Sequence, residues 1–212
     1  HVFDSTGKEI TADVDYLTYK STNTHDLVNS YYSPTGIPTF TPDTLLGSLP
    51  QDINIYTAKI DYVHPLKKGA KIEAGIKTGL VKTDNDAVYD SLLNNKRILD
   101  RGRSNHFVYE ENVNAAYVNF SKEFSKKFSG QFGLRLENTN AKGRSMGQAF
   151  RNNVWVPFDT TFNRNYTQLF PTAYLQYTVN EKNSFGLNYG RRIERPDYAD
   201  LNPFILFLDR YT

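Results

Sequence analysis

Cysteine is absent from the 212-residue chain, which excludes disulfides, thiolate metal sites and cysteine nucleophiles. The chain also lacks any run of about 18 apolar residues, which excludes a transmembrane helix but not a transmembrane strand. The formal net charge is only +2. A charge this small argues against a nucleic-acid-binding protein, because such proteins carry clustered basic residues.

The chain combines a high aromatic content with a hydrophilic average. Phe, Tyr and Trp make up 14% of the residues, while mean hydropathy is −0.58. A soluble globule usually carries its apolar content as aliphatic residues in a two-sided core. A membrane barrel needs only one apolar face per strand, with aromatic residues at the membrane boundaries and polar residues in the lumen. The composition therefore favours a membrane barrel.

Apolar and polar residues alternate with a period of two along most of the chain, which predicts about seven strands. The clearest strand places Ile72, Ala74 and Ile76 on one face, with Lys71 and Glu73 on the other. Each segment runs roughly 8 to 13 residues, close to the 9–11 tilted residues that span a bilayer. The segments are centred on residues 10–16, 56–62, 72–80, 115–120, 131–137, 172–179 and 184–190.

Short and long connections alternate between these segments. The short ones, HPLKKG, SKK and NEKN, are rich in turn-forming residues. The long ones each exceed roughly 20 residues, which is unusual inside a compact soluble domain. Short periplasmic turns and long extracellular loops are the rule in outer-membrane barrels. The fold class predicted is therefore all-β, a segment of an antiparallel up-and-down transmembrane β-barrel.

Aromatic residues are expected to form two girdles, one at each membrane boundary. Those predicted to lie near the short turns are Tyr62, Phe120, Phe124, Phe128, Phe132, Tyr177 and Phe185, and those nearer the long loops are Tyr16, Tyr19, Tyr56, Tyr109 and Tyr189.

The last third of the chain carries a specific pattern. The stretch RRIERPDYADLNPF at 191–204 follows a predicted outgoing strand, and FGLRLENTN occupies 132–140. Both resemble segments of the outer-membrane β-barrel family related to TonB-dependent receptors, of the Bacteroidetes type. The residues that carry this resemblance are Gly133, Arg135, Glu137, Arg191, Arg192, Arg195, Pro196, Leu201, Asn202, Pro203 and Phe204.

The resemblance implies a location in the bacterial outer membrane and a barrel of about 22 strands closed around a plug. Residues 1–212 would form part of one barrel domain, with the plug and the remaining strands outside this sequence. Uptake would be driven by the TonB complex acting through the plug of the parent protein. Outer-membrane lipid and a surface lipoprotein would be further partners.

Two charged sets are candidates for ligand contact. Arg135 and Glu137 share the predicted lumen face. They could contact a ligand, but we favour a structural ion pair whose two charges neutralise each other, since lumens are normally polar. The cluster of Arg191, Arg192 and Arg195 could hold an anion. We favour a fixed turn in which Pro196 limits the backbone and the arginines bind nearby carboxylates.

Aromatic residues in the long connections are candidate ligand contacts, because such rings stack on sugars, siderophores or peptides. The same rings could instead pack a loop against itself. The candidates are Tyr31, Tyr32, Phe40, Tyr89, Phe150, Trp155, Phe158 and Phe162, and the site residues chosen from them are Tyr31, Tyr32, Trp155 and Phe158.

Catalysis has little support, since no nucleophile motif or phosphate-binding loop is present and the four histidines are isolated. We therefore expect no enzyme, no cofactor and no metal. The leading interpretation is the wall of a receptor that imports a substrate through a plugged barrel. The alternatives are a structural or secretion-associated barrel that binds protein partners, and a soluble β-sandwich or lipocalin-like binding module.

Overall fold

The computed structural model describes residues 1–3, 7–93 and 96–193. Within them the chain forms one antiparallel sheet and a single turn of 3₁₀ helix at Lys67–Gly69. None of the helical structure in these residues is long and apolar enough to cross a membrane. The strands are β1 Glu9–Tyr32, β2 Pro38–Pro65, β3 Ala70–Leu93, β4 Lys96–Leu99, β5 Asn105–Ser125, β6 Phe128–Arg151, β7 Val154–Asn180 and β8 Asn183–Gly190.

The strands lie in the order β1-β2-β3-β5-β6-β7-β8, and the short β4 pairs only with the end of β3. Each long strand therefore hydrogen-bonds to its neighbours in sequence, and every pairing is antiparallel. This is an up-and-down half-barrel, as the sequence predicts. No second sheet is packed on it within the described part of the chain, so it is not a sandwich.

The strands are much longer than the predicted bilayer-spanning segments. The complete long strands, β1 to β3 and β5 to β7, contain 21 to 28 residues. The long connections are accordingly built as strand extensions that keep the register of the sheet. Between β6 and β7, for example, pairing continues from Phe128–Tyr177 to Arg151–Val154 without a shift. Period-two alternation weakens in these extensions because neither face there contacts lipid.

Tight turns close the hairpins at both ends. At the short-turn end, Lys68 has a φ of 60° and Gly69 a φ of 69°. At the far end, Asn152 and Asn153 have φ values of 49° and 65°. At Asn152–Asn153, which directly joins the paired residues Arg151 and Val154, two successive left-handed residues make a type I′ turn, whose twist matches that of the strands it joins.

The two faces of the sheet differ in burial. Ala115 is buried, whereas its neighbour Ala116 is exposed; Glu137 is 7% exposed, whereas Leu136 is 50% exposed. A curved sheet shields its concave side, so the face that carries Ala115 and Glu137 is the inner, lumenal face. Apolar residues next to the turns therefore lie on the outer face and polar ones on the inner face, as predicted.

An apolar belt covers the outer face beside the short turns. The side chains of the belt are exposed. A large exposed apolar surface is expected where a barrel contacts lipid but not where it faces water. Above the belt the same face carries the ion pairs Lys20–Asp52, Lys82–Glu110 and Arg144–Asp159, which are typical of a surface in water. The belt includes Val14, Ile60, Ile76, Val118, Leu134, Leu136, Leu169 and Leu187.

The aromatic residues follow the predicted girdles in part. Tyr16 and Tyr56 stack at 4.9 Å between ring centroids at the upper edge of the belt. Tyr19 and Tyr109 are instead on the inner face, as their register with Ile53 and Thr83 shows. They belong to no lipid-facing girdle, and their prediction as such is wrong. Tyr19 follows the outward-facing Tyr16 by three residues in an unbroken strand, so alternation itself places it on the opposite face; the girdle prediction rested on position along the chain alone.

Candidate functional site

A charged network occupies the inner face at the height of the belt. The Tyr117 hydroxyl donates a hydrogen bond to the Asp61 carboxylate, with which Lys59 also forms an ion pair. Tyr117 is on β5 and Asp61 on β2, with β3 between them. Gly75 of β3 is the register partner of both residues, and a Cβ there would lie within 2.6 Å of each side chain. The missing side chain lets Tyr117 reach across an entire strand.

Arg135 and Glu137 extend this network onto β6. The Arg135 guanidinium donates from Nε and Nη2 to Glu137 Oε2, at 3.0 and 2.7 Å. It also lies 5.8 Å from the centroid of the Tyr117 ring, in a cation–π contact. Glu137 is buried, so its charge depends on this partner. The geometry fits the structural interpretation of the pair.

Arg191 lies over the adjacent part of the inner face. Its guanidinium is 6.0 Å from the centroid of the Phe170 ring, and Nη1 donates to the Leu169 carbonyl at 3.2 Å. Together with Arg192 and the Arg135–Glu137 pair, it lines a depression of about 610 Å³. The other motif residues, Arg195, Pro196, Leu201, Asn202, Pro203 and Phe204, lie outside the described residues.

An aromatic cluster occupies the inner face above the belt. It consists of Phe107, Tyr109 and Ala141, all buried, with Phe162 packed against them. The Tyr109 ring centroid is 6.5 Å from those of both Phe107 and Phe162. Gly143 lies under Phe162, where any Cβ would collide with the ring. The glycine thus lets the ring lie flat on the strand.

A further buried aromatic residue, Tyr89, lies on the inner face of the extended part of β3. It packs over Gly47 of β2, and only 2% of its surface is exposed. Burial raises the pKa of its hydroxyl. The half-buried rings of Phe158 and Phe162, framed by polar groups in a concave surface, suit an organic ligand with both apolar and hydrogen-bonding parts.

The predicted loop contacts are not brought together. Tyr31 packs edge-on against Phe40 at 6.0 Å in the β1–β2 hairpin, and Tyr32 is 63% exposed beside it. Trp155 packs on Phe150 at 5.2 Å, at the tip of the β6–β7 hairpin.

Of Tyr31, Tyr32, Trp155 and Phe158, Phe158 alone joins the inner aromatic surface. It covers Gly147, the register partner of Asn105, and lies four residues before Phe162 on the same face. Phe162 and Tyr89 were predicted only as aromatic residues of the long connections, Tyr109 was predicted as a girdle residue, and Phe107 was not predicted. What places Tyr89, Tyr109 and Phe162 on the inner face is a glycine opposite each of them on the next strand, and this signal requires the register to be known.

In the described ranges no group of three or more His, Asp or Glu side chains is placed to hold a metal ion.

A half-barrel with an apolar outer belt, a polar inner face and strands extending beyond the belt is the wall of a transmembrane β-barrel. The model of the outer membrane protein beta-barrel family matches residues 1–212, and the chain belongs to this family. Its location is the bacterial outer membrane. No curated protein matches the chain.

Among solved structures, the fold is similar to that of the ferric yersiniabactin uptake receptor FyuA from Yersinia pestis. The TM-score is 0.50 at 13% sequence identity, over 82% of this chain. The chain spans 25% of the length of that receptor. The likeness is one of fold: this chain and a part of that receptor form the same kind of antiparallel barrel wall. The membership excludes the soluble β-sandwich or lipocalin-like alternative.

Proposed function

We propose that this chain is a wall segment of a TonB-dependent outer-membrane receptor that binds a substrate and imports it through a plugged barrel. The observation that carries the proposal is the continuity of the inner face. It passes from the aromatic cluster around Phe162, outside the membrane, to the charged network around Arg135, at membrane height. A ligand captured above the membrane would thus lie directly over the lumen.

The two parts of this face have different roles in the proposal. Phe162 covers the buried rings of Phe107 and Tyr109, and its own half-buried ring offers flat apolar surface for capture, since rings contribute binding area at little cost in conformational entropy. The charged network would face the plug of the parent protein, through which the TonB complex acts. Its own charges are paired within the wall, as in Lys59–Asp61 and Arg135–Glu137. The proposed role involves no catalysis, no cofactor and no nucleic acid.

The import proposal can be tested in the source bacterium without knowing the substrate. Strains lacking either the full-length receptor gene or TonB are grown in a complex medium, and the compounds each strain depletes are compared by mass spectrometry. We expect at least one compound to be depleted by the parent strain alone. If no compound depends on both genes, the import proposal is refuted.

A matched pair of variants then locates the ligand. Phe162→Ala removes a ring from the inner cluster, whereas Thr161→Ala alters the adjacent outward-facing position on the same strand. We expect only Phe162→Ala to slow depletion, by about tenfold, as for loss of one buried ring contact. Equal rates for both variants would place the ligand elsewhere.

A structural or secretion-associated barrel that binds protein partners is the second candidate. It is favoured by exposed aromatic residues at the hairpin tips: Phe40 is 73% exposed and Phe150 is 58% exposed. Such rings are enriched at protein interfaces. A surface lipoprotein is the partner expected. If Phe150→Ala abolishes co-purification of a protein while depletion of every compound is unchanged, this candidate is favoured over import.

A further inference from the structure

A row of amide side chains crosses the outer face just above the apolar belt. Asn138 Nδ2 donates to Asn165 Oδ1 at 3.0 Å and to Thr167 Oγ1 at 2.9 Å, and Asn140 Nδ2 donates to Asn138 Oδ1 at 2.8 Å. On β3 and β5, Thr78 donates to Asn114 at 2.7 Å. We call this set the amide row: Thr78, Asn112, Asn114, Asn138, Asn140, Asn165 and Thr167.

Directly below the amide row lies an apolar groove on the same outer face. It has a volume of about 540 Å³ and is lined almost entirely by apolar surface. Its floor includes Ala58 and Ala116, whose small side chains leave room between larger neighbours. Its outward-facing apolar lining is Ala58, Ile60, Ile76, Ala116 and Leu136, and the amides and hydroxyls at its upper end are Thr78, Asn114, Asn138 and Thr167.

The amide row lies at the boundary between lipid hydrocarbon and external water. It is on the side of the belt away from the short turns, about eight residues along β3 from Ala70 to Thr78. At about 3.3 Å per residue and a tilt near 40°, this is roughly 20 Å above the short turns. The next outward-facing charged residues, Lys82 and Glu110, form an ion pair.

We propose that the groove and the amide row together form a binding site for one lipid of the outer leaflet with a sugar headgroup. An acyl chain would lie in the groove, and the hydroxyls of the headgroup would bind the amide row. The site is continuous with the lipid-facing belt, so its occupant enters from the membrane rather than from solution.

The chemistry of the row selects a hydroxyl-rich headgroup. Asn138 is fully engaged within the row, whereas Asn140 and Asn165 each make one side-chain hydrogen bond there and keep further N–H donors and acceptor lone pairs, which match groups that both donate and accept. Sugar hydroxyls do both, whereas a phosphodiester only accepts. The exposed Lys142 lies two residues beyond Asn140 on the outer face and would suit an anionic substituent on such a sugar.

The proposal can be tested on the full-length parent protein, purified from outer membranes in a mild detergent. Lipid retained per protein is measured by native mass spectrometry and identified after extraction. We expect a sugar-headed lipid to be retained by the wild-type protein. No retained lipid, or retention of glycerophospholipids alone, would overturn the proposal.

Two variants address the two halves of the site. Asn114→Leu with Asn138→Leu removes two amides at similar volume, and Ala116→Phe fills the groove. The matched controls are Asn54→Leu and Ala173→Phe, outward-facing positions that do not line the groove. We expect each site variant to lose retained lipid by about tenfold or more, and each control to retain it.

Folding is verified for every variant by the shift in electrophoretic mobility on heating. If Ala116→Phe does not fold, Ala116→Leu is compared with Ala173→Leu. Equal retention by site variants and controls that fold would refute the site.

Discussion

The packing of Phe162 over Gly143 allows a sharp test of the aromatic cluster. Gly143→Ala adds one methyl group where the Phe162 ring already lies, so the ring must move away from Tyr109. Gly79→Ala is the matched control. It is another inward-facing strand glycine, on β3, and has nothing within 4 Å of the added Cβ.

The two substitutions should change the free energy of unfolding in opposite directions. Overpacking a fixed neighbour costs about 1–3 kcal/mol, whereas replacing an unstrained strand glycine by alanine stabilises a protein by about 0.4–1 kcal/mol. We therefore expect a difference of about 1.5–4 kcal/mol in the free energy of unfolding between Gly143→Ala and Gly79→Ala.

The assay is denaturant unfolding of the full-length protein in lipid vesicles, followed by tryptophan fluorescence and by protease resistance. A double variant, Gly143→Ala with Phe162→Leu, tests the same contact from the other side, since the smaller leucine side chain leaves room for the added methyl group. We expect the double variant to recover part of the loss, with a coupling energy of about 0.5–3 kcal/mol. If Gly143→Ala is as stable as Gly79→Ala, the close packing described for this cluster is wrong.

Three further predictions concern single contacts. Glu137→Gln should lower the free energy of unfolding by about 1–3 kcal/mol, because Arg135 loses a buried charged acceptor; thermal unfolding of the full-length protein checks this, and no change would contradict the buried pair. The hydrogen bond from Arg144 holds the pKa of Asp159 below its ordinary 3.8. The pair therefore contributes stability above pH 3.8 that is lost as pH falls through the lowered pKa of Asp159. Protease cleavage of the β6–β7 hairpin should increase as the pH falls from 3.8 through that pKa. Arg144→Gln should abolish this pH dependence. Asn153 has a φ of 65°, so Asn153→Ala should increase cleavage at this turn while Asn153→Gly should not.

The architecture was largely readable from the sequence because it depends on local patterns. Ile72, Ala74 and Ile76 alternate with Lys71 and Glu73, and a strand places alternate side chains on opposite faces whatever its neighbours are. The alternation of short and long connections then gave the up-and-down topology. The length of the strands was not readable, because the extensions face water or the lumen and carry no lipid-facing pattern.

Sequence by itself determined that this chain is a barrel wall, which side of it faces lipid, and to which family it belongs. Each of these follows from short-range alternation or from a contiguous motif. Tertiary structure alone decided which residues meet: Tyr117 reaches Asp61 across Gly75, and Phe162 covers Gly143. These contacts depend on the register between strands that are distant in sequence. Register is set by the apolar patterns of both paired strands together with the turn that joins them, so the pattern within one strand does not fix which residues face each other.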